Sequence, residues 1–135
     1  MNTWNGNTTH NLGLRHCAMY FRQKYMDPIL FGHTPDPKTL EGYFKRMEKA
    51  LENFDTKWLG NGTEYIAGNS ITVADLLAAC ELEQTKMAYY NPADNFSNIA
   101  KWWKKVREHF NPYYDEAHVI VNKIINKQAK LKAKI

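Results

Sequence analysis

Leu40, Phe44, Met47, Leu51, Phe54 and Trp58 recur at alternating steps of four and three, which restricts this segment to a helix. Side chains spaced this way fall on one side of an α-helix, whereas a strand needs alternation at every second position. Lys45, Arg46, Glu48, Lys49 and Glu52 fill the faces between them, as in a helix that rests on a core with its back in water. Both ends are marked as well. Asp36 is a good N-cap, and Pro37 suits the first helical position, where a missing N–H costs nothing. Gly60-Asn61-Gly62 stops the helix. With no strand before it and no lysine after it, the triplet is a turn and not a phosphate loop.

Four more segments read as helices, and none reads as a strand. The first runs from about His10 to Met26, with Leu14, Cys17, Ala18, Phe21 and Tyr25 on one side and Arg15, Met19, Arg22 and Met26 as a second stripe. Asp27-Pro28 is expected to end it. The third helix opens at Thr72 and runs to about Met87, with Val73, Leu76, Leu77, Cys80 and Met87 along one side. Ala74, Ala78 and Ala79 allow close backbone approach, so this helix is expected to be central and the most buried. The fourth spans roughly Phe96 to Phe110 and presents Ile99, Trp102, Trp103, Val106 and Phe110. The fifth begins at Asn111-Pro112 and is expected to turn Tyr113, Ala117, Ile120, Val121 and Ile124 inward. After Asn126, the lysines at 127, 130, 132 and 134 read as a frayed, solvated end. This makes one domain: an irregular segment over 1–9, a helical body over 10–127 and a basic tail over 128–135.

Several function classes drop out. A chain of 135 residues, 44% hydrophobic, builds one core without covalent staples. Cys17 and Cys80 lie far apart in apolar patterns with no Cys-x-x-Cys, which makes them reduced core thiols. The histidines at 10, 16, 33, 109 and 118 lack metal-ligand spacing, so no metal is expected. No signal peptide and no run of membrane-spanning length can be read, so the expectation is a cytoplasmic protein without a membrane partner. The Asn-x-Ser/Thr triplets at Asn7, Asn61 and Asn95 are then accidental. The net charge of +4 is scattered except toward the end, and no nucleic-acid partner is expected.

The most informative stretch is Gly68-Asn69-Ser70-Ile71-Thr72-Val73-Ala74-Asp75-Leu76. Thr72 can accept from the N–H of Asp75 while the Asp75 carboxylate reaches back to the N–H of Thr72, a capping box with Asp in place of Glu. Ile71 and Leu76 stand where a hydrophobic staple forms. As a bare pattern, Asp75 is a cap and not a catalytic acid.

Together with its alanine-rich helix, this stretch resembles the folding motif inside the C-terminal domain of glutathione transferases. Three segments extend the resemblance to the theta class, especially its insect members: Leu14–Phe21, Ala78–Thr85 and Asn111–His118. The similarity covers about Arg15 to Ile125. It implies an all-α, five-helix right-handed bundle that supplies the electrophile-binding half of a detoxifying transferase, homodimeric at full length. In that family a thioredoxin-like domain precedes the bundle, binds glutathione and carries the catalytic serine. Nothing in these residues resembles it, so the expectation is no cofactor, glutathione as co-substrate only alongside that domain, and an inactive isolated chain. Trp4-Asn5-Gly6-Asn7-Thr8-Thr9-His10 departs from the family's usual entry and suggests an altered start. By resemblance, Arg15 stands where theta enzymes place a cleft arginine, and Met19, Gln23 and Met26 continue the substrate wall. The alternative is a non-catalytic helical association module.

Overall fold

The computed structural model describes residues 13–134. Its α-helices are α1 (Arg15–Phe21), α2 (Asp27–Phe31), α3 (Pro37–Asn53), α4 (Val73–Met87), α5 (Ser97–Phe110), α6 (Tyr113–Ala117) and α7 (Val119–Ala133). They merge into five helical stretches, because π-helical turns continue α1 into α2 (Arg22–Met26) and extend α3 (Phe54–Trp58), while α6 and α7 meet at His118. No strand occurs among the described residues beyond an isolated bridge between Tyr65 and Gly68. The anticipated start at His10 and the segment over 1–9 lie outside the described residues.

The two π turns explain where the periodicity misleads. Asp27-Pro28 does not end the first stretch. The N–H of Asp27 bonds to the carbonyl of Arg22, one residue wider than α spacing, and Pro28 enters the next turn near its start, where no N–H is required. The helix stops only at Gly32, whose φ of 62° is left-handed. Along α3 and into its π extension, Met47, Leu51 and Phe54 are fully buried as their spacing demands, each worth about 1.5–3 kcal/mol on removal from water. Then the Leu59 N–H bonds to the Phe54 carbonyl, and the added residue shifts the phase. Trp58 turns outward and Leu59 packs on the core in its place. A Cβ on Gly60 would run into the Thr56 carbonyl, so only glycine fits there.

Helix α4 is the central one, but its buried side differs from the apolar stripe. Val73 and Leu77 are exposed, whereas Ala74, Asp75, Ala78, Ala79, Leu82, Glu83 and Thr85 are buried. Small residues let α1 and α4 close on each other, and tertiary partners satisfy the two carboxylates. The last stretch is also rotated from expectation. Tyr113, Ala117 and Ile120 face water, while Tyr114 and His118 are buried and Val121, Ile124 and Ile125 pack on the core. The basic end is not frayed: it stays helical to Ala133, and the Gln128 side chain donates to the Met87 carbonyl at 2.8 Å.

The core joins Leu14, Cys17 and Phe21 of the first stretch to Leu51, Leu82, Ile99, Trp102 and Val106. The Phe54 ring stands edge-on to Trp102, with centroids 5.0 Å apart. From the same π turn, Asp55 accepts from the Ile99 N–H at 2.9 Å and so caps α5, which has no capping side chain of its own.

Candidate functional site

Asp75 is fully buried at the start of α4. Its Oδ2 accepts from the Thr72 N–H at 2.9 Å and from the Thr72 hydroxyl at 3.3 Å. Its Oδ1 accepts from the Ile66 N–H at 3.1 Å and from the Trp102 indole Nε1 at 2.8 Å. The capping box anticipated for Thr72 and Asp75 is present, and the Thr72 carbonyl also holds the Asp75 N–H at 3.1 Å. Ile71 and Leu76 both pack against the core cluster, consistent with the staple. With four donors on its two oxygens, this carboxylate has no capacity left for a reacting group.

Two turns further along α4, Glu83 anchors a second network. The Tyr114 hydroxyl donates to Glu83 Oε1 at 2.8 Å and accepts from Trp103 Nε1 at 2.8 Å. Lys86 Nζ pairs with Glu83 Oε2 at 3.1 Å and lies 4.4 Å from the centre of the Trp103 ring. Burial, and then the nearby Glu83 carboxylate, push the Tyr114 phenol well above its usual range, so it keeps its proton. A cleft of about 400 Å³ opens beside this network, lined by Glu83, Lys86, Trp103, Lys104 and Arg107 among others. A smaller space of about 100 Å³ adjoins it toward Tyr114, Asp115 and His118. Asp115 takes Arg107 through two 2.8 Å bonds, and the Arg107 partnership holds its carboxyl below the usual range. These charges are mutually paired, so the arrangement holds helices together and has no group poised for catalysis. Sequence reading missed the network because its partners stand 31 residues apart, a distance no motif spans.

The residues singled out on the first stretch take different places. Arg15 opens α1, is exposed and enters no ion pair among the described residues. Met19, one turn on, is 36% exposed. The Gln23 amide donates to Asp27 Oδ2 at 3.4 Å, beside an Arg22–Asp27 pair at 3.9 Å. Met26, the last residue of the π turn, packs against the core. Arg15 and Met19 thus stand one turn apart on α1, whereas Gln23 and Met26 belong to the π turn, Gln23 held by Asp27 and Met26 packed on the core. Cys17 and Cys80 are free thiols, and burial followed by nearby acidic side chains raises both above their usual range, which leaves them inert. No cluster able to hold a metal occurs among the described residues, and no helix there is long and apolar enough to cross a membrane.

A helical bundle pinned by a buried capping aspartate, with an exposed arginine on its first helix that enters no ion pair among the described residues, is the class of protein this geometry defines. A solved structure titled human glutathione-S-transferase T1-1, apo form, has the same fold, with a TM-score of 0.77 at 24% identity over 87% of this chain and 49% of that one. The family pattern "Glutathione S-transferase, C-terminal domain" matches residues 19–109. Glutathione S-transferase theta-3 of Mus musculus is 29% identical over 108 residues, 79% of this chain and 44% of its own length. Glutathione S-transferase D6 of Drosophila melanogaster is 32% identical over 96 residues, 69% of this chain and 40% of its own. Glutathione S-transferase T3 of Arabidopsis thaliana is 28% identical over 120 residues, 83% of this chain and 20% of its own. The chain belongs to the glutathione S-transferase C-terminal domain family, and within it to the theta class. It spans half or less of the length of these relatives.

Proposed function

We propose that these residues form the electrophile-binding half of a transferase that joins glutathione to hydrophobic compounds and works as a homodimer. The observation that carries the reading is Arg15, a guanidinium at the head of α1 with no ion-pair partner among the described residues. Below it the half-exposed Met19 offers an adaptable apolar surface. In such a division of labour a thiol-activating domain supplies glutathione as thiolate, and the helical half holds the electrophile beside it. Arg15 would stabilise negative charge that develops on glutathione or on the leaving group.

The test joins a theta-class thioredoxin-like domain to this chain ahead of the bundle. The fusion should conjugate an aryl halide, and Arg15→Ala should lower kcat/KM by roughly tenfold or more. Met19→Ala should act mainly on KM, because it removes apolar contact without touching charge. The 135 residues alone should show no turnover, since a single wall cannot hold both reactants. Turnover by the unfused chain, or a folded fusion indifferent to Arg15→Ala, would overturn the assignment. The second outcome would favour a non-catalytic association module.

A further inference from the structure

Helix α7 and its C-cap hold Lys123, Lys127, Lys130, Lys132 and Lys134 and no acidic residue. The whole chain carries a net charge of +4, so the 118 residues before this helix sum to −1. The positive character of the chain therefore resides in one element. That element is also fixed in orientation. Val121, Ile124 and Ile125 pack on the core, and Gln128 bonds to the Met87 carbonyl at the end of α4. Lys123, Lys127, Lys130 and Lys134 follow at steps of four, three and four, all exposed, on the side facing away from those anchors. They form a straight ridge about 16 Å long. Ile120 and Leu131, three turns apart, flank the ridge and are 73% and 56% exposed. Of the carboxylates just before α7, Asp115 is already taken by Arg107, and only Glu116 stands exposed.

We propose that this ridge docks the domain on an anionic membrane surface, lysines toward the lipid headgroups and Ile120 and Leu131 dipping into the interface. A cluster of four or more lysines on one helix face is enough to gather acidic lipid, and flanking aliphatic side chains add burial that water does not offer. The same aliphatics have no use along a phosphate backbone. The helix also lacks the aromatic rings and guanidinium groups that stack on exposed bases. The expectation of no membrane partner rested on the lack of a spanning segment, which an interfacial helix does not need.

The test is co-sedimentation of the 135-residue chain with vesicles of phosphatidylcholine, alone or with about 30 mol% phosphatidylserine. The chain should sediment only with the acidic vesicles, and should be released as salt rises from about 0.1 M to 0.5 M. Each Lys→Gln change at 123, 127, 130 or 134 should weaken binding about fivefold, and the quadruple change roughly a hundredfold or more. The quadruple Lys→Arg variant should bind like the wild type. Ile120→Ser with Leu131→Ser should weaken binding while leaving its salt dependence unchanged. These positions are exposed, so all variants should keep the helical circular dichroism of the wild type. Equal binding to neutral vesicles, no sedimentation with acidic ones, or retention by the folded quadruple Lys→Gln variant would overturn the proposal. Displacement from acidic vesicles by a short single-stranded oligonucleotide at equal phosphate would overturn it in favour of a nucleic-acid surface.

Discussion

Asp75 and Glu83 are both buried carboxylates on α4, eight residues apart, and adjacent tryptophans on α5 serve them. Trp102 donates to Asp75, and Trp103 reaches Glu83 through the Tyr114 hydroxyl. The two regions are nonetheless built differently. Asp75 is saturated by two backbone N–H groups, a hydroxyl and an indole, with no ion pair among the described residues. Glu83 is satisfied by one phenol and one lysine that is itself partly exposed. The first arrangement fixes where the helix begins, by holding donors that have no other partner. The second ties the end of α4 to α6 through side chains, of which Lys86 reaches water. A buried charge held by backbone donors is harder to replace than one held by side chains, because the backbone cannot move away.

The largest effect should follow Asp75→Ala. It strands the N–H groups of Ile66 and Thr72 and the indole of Trp102 in the interior, at a combined cost of about 3–5 kcal/mol. In urea the cooperative transition should move to much lower denaturant or vanish. Tyr114→Phe should come next, at about 1–3 kcal/mol, because it leaves the Trp103 indole without an acceptor and Glu83 short of one donor. If the two mutants proved equally unstable, the contrast between backbone-held and side-chain-held carboxylates would fail. Thr72→Ala should lose only about 1 kcal/mol, the usual cost of a helix N-cap, since Asp75 keeps its other donors.

Glu81, between the two, sharpens the comparison with the smallest effect. Its Oε2 is buried without a hydrogen-bond partner among the described residues, and burial raises its pKa above the ordinary carboxylate range. The sign follows from which form folding favours. Below the ordinary range the group is protonated in both states and costs nothing. As pH rises through the raised value, the folded protein must hold a charge that the unfolded chain holds more easily, and stability is lost. Glu81→Gln should therefore raise the melting midpoint by about 1–2 °C at pH 7, and the gain should fade as the solution is acidified toward pH 4. A gain that grew in acid would contradict this account of Glu81.

How far each feature could be read ahead of the structure follows from its range in the chain. Asp36 and Pro37 at the head of α3 were legible, and so were Thr72 and Asp75 at the head of α4, because a cap involves neighbours three residues apart. The row of Met47, Leu51 and Phe54 was legible because helical period alone aims those side chains. Trp58 and Pro28 were misjudged for one reason. A π turn inserts a residue without any mark in composition, and every later side chain then points elsewhere. For the proposed substrate wall, the resemblance supplied Arg15, Met19, Gln23 and Met26, but the π turn that takes in Gln23 and Met26 is a property of the packed helix.

What the sequence determined by itself was the all-helical class, the capped starts of α3 and α4, and the family to which the second of them belongs. Each rests on bonds or periodicities that close within one or two turns. Only the tertiary structure decided which faces meet. It turned the alanine and carboxylate side of α4 inward in place of Val73 and Leu77, and it turned Tyr114 and His118 inward in place of Tyr113 and Ile120. The physical reason is that a polar side chain is buried wherever another element offers it a partner, and such a partner can lie anywhere along the chain. Trp103, Tyr114 and Glu83 become neighbours only after the helices have packed.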